Sequence, residues 1–161
     1  MFCEKLGLFY LLQVIFMLVL NDDIRKALIS HAECEYPNEC CGVLLGKRAD
    51  GKRIAERAVR LENKSASDKT AHFTVDPLVI PEIELSAAAE NREIVGFYHS
   101  HPNCAAVLSK TDELYMLDGF SYPIVSANEG ADGMYFKIAS FEKITCASIC
   151  SEEQIITESE K

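Results

Sequence analysis

The stretch over residues 94–112, IVGFYHSHPNCAAVLSKTD, constrains the fold more than any other part of the chain. Its first five residues are apolar and partly β-branched apart from one glycine, which predicts a short buried strand. His99 and His101 follow at the end of that strand, and residues two apart on a strand point to the same side of the sheet. Pro102 cannot donate to a sheet ladder, so the strand is predicted to end there. Both imidazoles can therefore reach one point in space.

A helix is predicted to begin a few residues later. Ser109-Lys110-Thr111-Asp112 has the S-x-x-D form of a capping box, and this role alone would explain both Ser109 and Asp112. Asp112 would then lie in the first helical turn. Two imidazoles from a strand end and one carboxylate from the next helix also make a three-ligand metal set. Catalytic zinc uses three protein ligands and keeps a fourth position open.

Length and pattern favour one α/β domain. The 161 residues suit a single core. The order of strand, helix, strands, helix, strand, helix, strands predicts a mixed central β-sheet flanked by helices. The net charge of −9 without a basic stripe argues against a nucleic-acid partner. Seven cysteines, an odd number, do not suit a disulfide scaffold, so we expect reduced thiols and a cytoplasmic location.

The two ends of the chain differ from the middle. Residues 6–20 contain only one polar side chain, Gln13, but as a helix they would span about 22 Å, less than the roughly 30 Å of a hydrocarbon core. Three interpretations stay open: Met17 is the natural start and opens a first strand, the segment is a packed apolar helix, or it attaches to a membrane. We therefore divide the chain into an apolar extension (1–16), a domain (17–145) and a polar, acidic and solvated tail (146–161).

Local signals place the other elements. Asn21 is expected to be the N-cap of a helix that runs to about Cys34. Asp76 is expected to be the N-cap of a second helix, which runs to about Asn91. The helix from Ser109 is expected to end near Gly119. Apolar or alternating runs predict strands after Glu39 and over residues 53–61, 72–75, 122–127 and 134–141. Taken alone, Glu39 is an exposed loop acid, His31 and His72 are structural or surface residues, and the spacing of Cys146 and Cys150 is weak support for a metal site.

Taken together, these residues resemble the JAMM, or MPN-plus, metalloprotease family, which is built on the JAB domain. The family pattern is an upstream Glu, then H-x-H-P, six residues, and S-x-x-D. Every spacing fits in this chain, and the likeness covers roughly residues 17–142. Further similarities to short prokaryotic members, including those that process sulfur carriers, are Pro37-Asn38-Glu39 before CGVLLG, Asn63, the F-x-x-D-P of residues 73–77, and GFYHSHP.

The resemblance implies a fold and a chemistry. The fold would be MPN/JAB-like, with the layering of cytidine deaminases. His99, His101 and Asp112 would ligate one Zn²⁺, and Glu39 would be the general base for a metal-activated water and later protonate the leaving amine. Ser109 would stabilise the tetrahedral oxyanion. The implied activity is hydrolysis of an amide bond at the C-terminal Gly-Gly tail of a ubiquitin-like or sulfur-carrier protein.

Some features depart from the pattern or leave alternatives open. Asn103 and Leu108 stand where many relatives have an acid and a proline, which affects the expected loop shape and substrate choice but not the ligands. Cys104 could be a competing thiol or a bystander. A non-catalytic scaffold module of the same fold and a membrane-associated metalloprotease are the alternative functions, and a homodimer is left open.

Overall fold

The computed structural model describes residues 16–144 and 149–158. The interpretations of the apolar extension up to residue 15, and of Cys146, concern residues outside these ranges. Within the described residues the elements are β1 (Met17–Asn21), α1 (Asp22–Glu35), β2 (Cys41–Ala49), β3 (Lys52–Leu61), α2 (Val79–Ala89), β4 (Glu93–Pro102), α3 (Lys110–Tyr115), β5 (Tyr122–Gly130), β6 (Gly133–Ile144), β7 (Ile149–Glu153) and β8 (Ile155–Glu158).

The strands form one mixed sheet in the order β7-β6-β5-β4-β2-β3-β1-β8. The β4–β5, β1–β3 and β1–β8 pairs are parallel, and the remaining neighbours are antiparallel. The predicted α/β class with a mixed central sheet and flanking helices is therefore confirmed. Strand β4, which carries the two histidines, lies in the middle of the sheet between β2 and β5.

The sheet is strongly curved, because β7 and β8 lie at its opposite edges and only Gln154 separates them along the chain. The buried guanidinium of Arg53 on β3 links the two halves. It donates to Glu142 on β6 at 3.1 Å and to Glu153 on β7 at 2.9 Å. Arg53 thus holds together strands that are far apart in the hydrogen-bonded order.

The two faces of the sheet pack against different helices. Helix α1 contributes Ile24, Leu28 and Ala32 to a core cluster with inward residues of β1, β2, β4 and β5. On the opposite face, Ala87 of α2 packs with neighbours on β2 and β4. The segment that carries α3 contributes Met116 to a third cluster over β5 and β6. Apolar burial on both faces fixes β4, and with it the positions of the histidines.

Several local predictions are confirmed at the N-terminal side. Strand β1 begins at Met17, and Asn21 caps α1 by accepting a 2.8 Å hydrogen bond from the amide of Ile24. The expected helix cap at Asp76 is wrong. Helix α2 begins at Val79 with Leu78 as its N-cap, because Asp76 accepts from the amides of Leu78 and Val79 in a turn that precedes the helix.

Two expectations about helix α3 and residues 72–75 are wrong. Helix α3 ends at Tyr115 rather than near Gly119, because the hydroxyl of Tyr122 takes over hydrogen bonding to the backbone of Leu117. Residues 72–75 form no strand. The side chain of Asn63 donates to the carbonyl of His72 and accepts from the amide of Thr74. These backbone groups are therefore not available for hydrogen bonds to a neighbouring strand.

The expectation of a solvated acidic tail is also wrong for residues 149–158. Strand β7 pairs with β6 and β8 pairs with β1, and Glu153 is buried. The local sequence suggests an exposed segment because it is polar and acidic. It does not reveal Arg53, which lies 100 residues away and balances the charge of Glu153. Within the described residues, none of the helices combines the length and the apolar composition needed to cross a membrane.

Candidate metal centre and active site

His99 and His101 stand next to each other on one side of β4, as their spacing predicts. Their Nε2 atoms are 3.0 Å apart. His99 is buried and His101 is half-buried. Ring Nδ1 of His101 lies 3.1 Å from the carbonyl oxygen of Ala105, and this oxygen can only accept a hydrogen bond, so Nδ1 is the donor. Because Nδ1 carries the proton in that arrangement, Nε2 keeps its lone pair for a metal.

Asp112 completes the group from the first turn of α3. Its Oδ1 lies 3.3 Å from Nε2 of His99, and its Oδ2 lies 3.6 Å from Nε2 of His101. The capping box is present, since the Ser109 amide donates to Oδ2 at 2.7 Å and the Asp112 amide donates to the Ser109 hydroxyl at 3.1 Å. The sequence left capping and metal ligation as alternative roles, and the geometry allows both.

The spacing of these atoms fits zinc. One ligand atom from each of His99, His101 and Asp112 lies within 4.8 Å of the others. A tetrahedral ion with bonds of about 2.0–2.1 Å separates its ligand atoms by roughly 3.3 Å. The two imidazole nitrogens are 3.0 Å apart, and the Asp112 carboxylate places Oδ1 3.3 Å from His99 and Oδ2 3.6 Å from His101, so each of these separations is close to that value. Two imidazole nitrogens and one carboxylate are also a donor set that zinc accepts.

The charges of the group suit a cation. Burial would raise the pKa of Asp112, but the nearby imidazoles of His101 and His99 and the hydrogen bond from Ser109 hold that pKa far below its ordinary range. Burial lowers the pKa of His99 and keeps its ring neutral. Burial alone would also lower the pKa of His101, yet the nearby Asp112 carboxylate and the hydrogen bond to the Ala105 carbonyl raise it above the ordinary value. A metal must therefore compete with a proton at His101.

Glu39 comes to this group from the segment before β2. Cys41 on β2 pairs with His99 on β4. The preceding residue, Cys40, lies across from Ser100, and two hydrogen bonds join them: the Cys40 amide donates to the Ser100 hydroxyl, and the Ser100 amide donates to the Cys40 carbonyl. One further step in the same antiparallel register places Glu39 across from His101. Glu39 is 7% exposed, so it is not the exposed loop acid that the sequence alone suggests. Burial is the main reason that its pKa rises to about 7, with His101 acting against the rise and Asp112 adding to it.

Glu39, His101 and Ser109 line one cavity of about 300 Å³. The rest of its wall is mostly small and apolar and includes Ala71, Pro102 and Ala105. Cys104 also lines the cavity, and it forms no disulfide with the other cysteines in residues 16–144 and 149–158. All five site residues predicted from the sequence are therefore in one region, whereas His31 bonds to the Tyr98 hydroxyl at 2.8 Å and His72 is exposed.

Two contributors were missed as site residues. The ring of Phe73 lies against that of His99, with 5.0 Å between ring centroids, and Ser100 bonds the segment of Glu39 to β4. Phe73 and Ser100 stand in the motifs quoted above, but their contacts depend on the sheet register and on a loop path that local patterns do not reveal.

The chain matches the family described as prokaryotic homologs of the JAB domain over residues 21–138. Among curated proteins, it is 34% identical to the desampylase of Haloferax volcanii over 114 residues, which is 68% of this chain and 80% of the relative. It is 30% identical to the CysO-cysteine peptidase of Mycobacterium tuberculosis over 100 residues, 61% of this chain and 64% of the relative. It also matches the tail tip assembly protein K of Escherichia phage N15 at 39% identity over 88 residues, 54% of this chain but only 31% of that protein.

Solved structures agree with these matches. The solution structure of a Desulfitobacterium hafniense protein superposes with a TM-score of 0.72 at 28% identity, covering 89% of this chain and 94% of the other. A Salinibacter ruber protein superposes with a TM-score of 0.65, also at 28% identity, covering 88% and 92%.

Proposed function

The chain belongs to the prokaryotic JAB domain family, and from that premise we propose that it is a zinc-dependent peptidase. It would hydrolyse the amide bond at the C-terminal Gly-Gly tail of a ubiquitin-like or sulfur-carrier protein. We call His99, His101 and Asp112 the ligand group. The observation that carries the proposal is that the buried carboxylate of Glu39 lies at one cavity with this group. The names of two relatives, a desampylase and a CysO-cysteine peptidase, support this substrate class.

His99, His101 and Asp112 would hold the metal. Zinc bound by them supplies a Lewis acid that polarises the scissile carbonyl and lowers the pKa of water towards 7. Ala105 keeps the His101 ring in the tautomer that presents Nε2, and Ser109 holds the Asp112 carboxylate through its backbone amide. These contacts fix the ligand atoms before a metal arrives, which reduces the cost of ordering them.

Glu39 would move the proton. Its carboxylate takes a proton from the attacking water, and the resulting hydroxide adds to the carbonyl carbon. The C–N bond then breaks, and Glu39 returns the proton to the leaving nitrogen, so that the products are a carboxylic acid and a free amine. Glu39 lines the same cavity as His101, so its carboxylate is placed to take a proton from water there and to give it to the leaving nitrogen.

Ser109 would stabilise the oxyanion. Its hydroxyl oxygen accepts the Asp112 amide, which leaves the O–H hydrogen available as a donor toward the cavity that Ser109 lines. A donor aimed at charge that develops in the transition state is worth about 10²–10³ in rate.

The test uses the full chain loaded with zinc and a ubiquitin-like carrier whose Gly-Gly tail is joined by an amide to a reporter peptide. Mass spectrometry should show cleavage directly after the second glycine. A chelator should stop the reaction, and added zinc should restore it. The matched control substrate has valine in place of the last glycine, and we expect slower cleavage because the proposed specificity is for a Gly-Gly tail. A zinc-loaded, folded protein that cleaves no Gly-Gly amide would contradict the proposal.

A further inference from the structure

We infer that Asn63 is a positioning residue for Glu39: its side chain fixes the Glu39 peptide to the loop over residues 62–78, and so keeps the Glu39 carboxylate facing the ligand group. The inference rests on the proposed function only for what Glu39 does in the reaction. The attachment itself is a property of the fold, and it can be measured without any turnover.

All the hydrogen-bonding positions of the Asn63 amide are filled. Its Nδ2 donates to the carbonyl oxygens of Glu39 and His72, both at 3.0 Å. Its Oδ1 accepts from the amides of Ser65 at 3.0 Å and Thr74 at 3.2 Å. An amide side chain has two donor hydrogens and two acceptor lone pairs. Since two partners are carbonyls and two are N–H groups, only one orientation of the amide satisfies all four.

The sheet register brings Asn63 to Glu39. Cys41 on β2 pairs with Leu61 on β3 on one side and with His99 on β4 on the other. Both pairings are antiparallel, so a step of two residues back from Cys41 corresponds to two residues forward from Leu61 and from His99. This register places Glu39 between Asn63 and His101. Asn63 is 8% exposed, so its bond to the Glu39 carbonyl is shielded from water. A buried bond of this kind is costly to lose, because water does not replace it freely.

The loop holds both backbone groups of Glu39. The Glu39 amide donates to the carbonyl of Lys69 at 2.7 Å, and the Glu39 carbonyl accepts from Asn63. Both partners belong to the loop over residues 62–78. The next residue, Cys40, is held to β4 instead, by the Ser100 hydroxyl at 2.8 Å. The peptide of the proposed base is therefore set by one loop, and Asn63 is the side chain that ties this loop together.

Position matters at this place because a general base must lie within hydrogen-bond reach of the proton it takes. A misplacement of about 1 Å can cost roughly 100-fold in rate. Losing the Asn63 contacts should therefore lower kcat by about 10- to 100-fold. KM should change by less than about threefold, and zinc content should stay the same, because Asn63 itself is neither a member of the ligand group nor one of the residues that line the cavity.

The experiment compares two variants with a control. Asn63→Asp keeps the acceptor for Ser65 and Thr74 but removes the donors, and Asn63→Ser is neutral and too short to span the same partners. The control is Lys64→Ala, which removes an exposed 3.3 Å ion pair with Asp76 in the same loop and touches nothing at Glu39. For each protein we would measure hydrogen exchange of the Glu39 amide by NMR, zinc content, and kcat and KM on the Gly-Gly substrate.

The expected result is faster exchange at the Glu39 amide and a lower kcat in both Asn63 variants, with zinc content, β4 amide protection and the control unchanged. Wild-type exchange at Glu39 in both variants would overturn the inference. So would a rise in KM at constant kcat, which would assign the loop to substrate binding, and so would loss of the native fold in both variants, which would assign Asn63 to folding. If the wild type itself cleaves nothing, the proposed function fails, and the exchange data alone still decide the role of Asn63.

Discussion

Replacing Glu39 with glutamine should lower activity and raise stability together. Glutamine has nearly the same shape, and the backbone bonds of residue 39 to Lys69 and Asn63 do not involve its side chain. The substitution therefore removes the proton acceptor without removing a packing contact. Zinc binding should be unchanged, because the ligand group comes from His99, His101 and Asp112.

The size of both effects follows from the environment of Glu39. General base catalysis is worth about 10²–10⁴ in rate, or roughly 3–5 kcal/mol. Because Glu39 is the base that we propose for the attacking water, we expect a loss in the upper half of that range. Without metal, burial raises the pKa of Glu39 from 4.5 to about 7. In the metal-free protein, the folded state holds this proton up to about pH 7, whereas the unfolded state releases it near 4.5. Ionised Glu39 therefore costs the fold up to about 3 kcal/mol above pH 7, and nothing below about 4.5. Glutamine removes that cost.

Two assays on the same preparations check this prediction. Single-turnover cleavage of the Gly-Gly substrate gives the rate, and urea unfolding of the metal-free protein at pH 8 and pH 4.5 gives the free energy of unfolding. We expect at least about 10³-fold slower cleavage and a variant that is more stable than the wild type at pH 8 but not at pH 4.5. Turnover within about tenfold of the wild type would refute the role of Glu39 as the base, and lower stability at pH 8 would refute the account of its burial.

Three further predictions concern the ligand group and the buried ion cluster. Because contacts with Asp112 raise the pKa of His101, zinc affinity should fall as the pH drops below neutral; calorimetry in two buffers should show proton release on binding, and no release would contradict this. Arg53→Met should lower the free energy of unfolding by about 3–5 kcal/mol in urea titrations, because it leaves the buried Glu142 and Glu153 carboxylates without their cation; a loss below about 1 kcal/mol would be inconsistent with the cluster. Burial also raises the pKa of Glu153 from 4.5 to about 7, so wild-type stability should fall as the pH rises across that window, whereas Glu153→Gln should show a flatter profile.

The grouping of the candidate metal ligands could be predicted from sequence because each position depends on a short-range rule. The i, i+2 spacing of His99 and His101 puts both rings on one side of β4, and the S-x-x-D pattern puts Asp112 in the first turn of α3. That Glu39 would join these residues was expected only from the family resemblance, because it depends on the pairing of β2 with β4.

The position of Asn63 could not be predicted in the same way. The turn at Asp50-Gly51 sets the register of the β2–β3 hairpin, and by simple counting it would place Glu62 across from Glu39. A bulge between Leu45 and Gly46 shifts the register by one residue and brings Asn63 there instead. A side chain on Gly46 would overlap the Ile54 carbonyl, so this glycine is required by a close approach that only the folded sheet reveals.

The tail shows a different limit. Residues 149–158 are polar enough to suggest a solvated end, yet Glu153 accepts hydrogen bonds from Arg53, Ser121 and Ser140 in the interior. The hydrophobic periodicity of a segment indicates which of its side chains face solvent and which face the core. It does not identify a buried charged residue whose hydrogen-bond partners are 13 to 100 residues away in the sequence.

The most direct test of the central claim is the zinc content of the wild type and of His101→Ala, purified without added metal and compared at equal folded concentration. We expect about one zinc per wild-type chain and loss of that zinc in the variant, since removing one of three ligands weakens a catalytic site severely. A folded wild type without zinc that also fails to take it up on addition, or a variant that holds as much as the wild type, would contradict the claim.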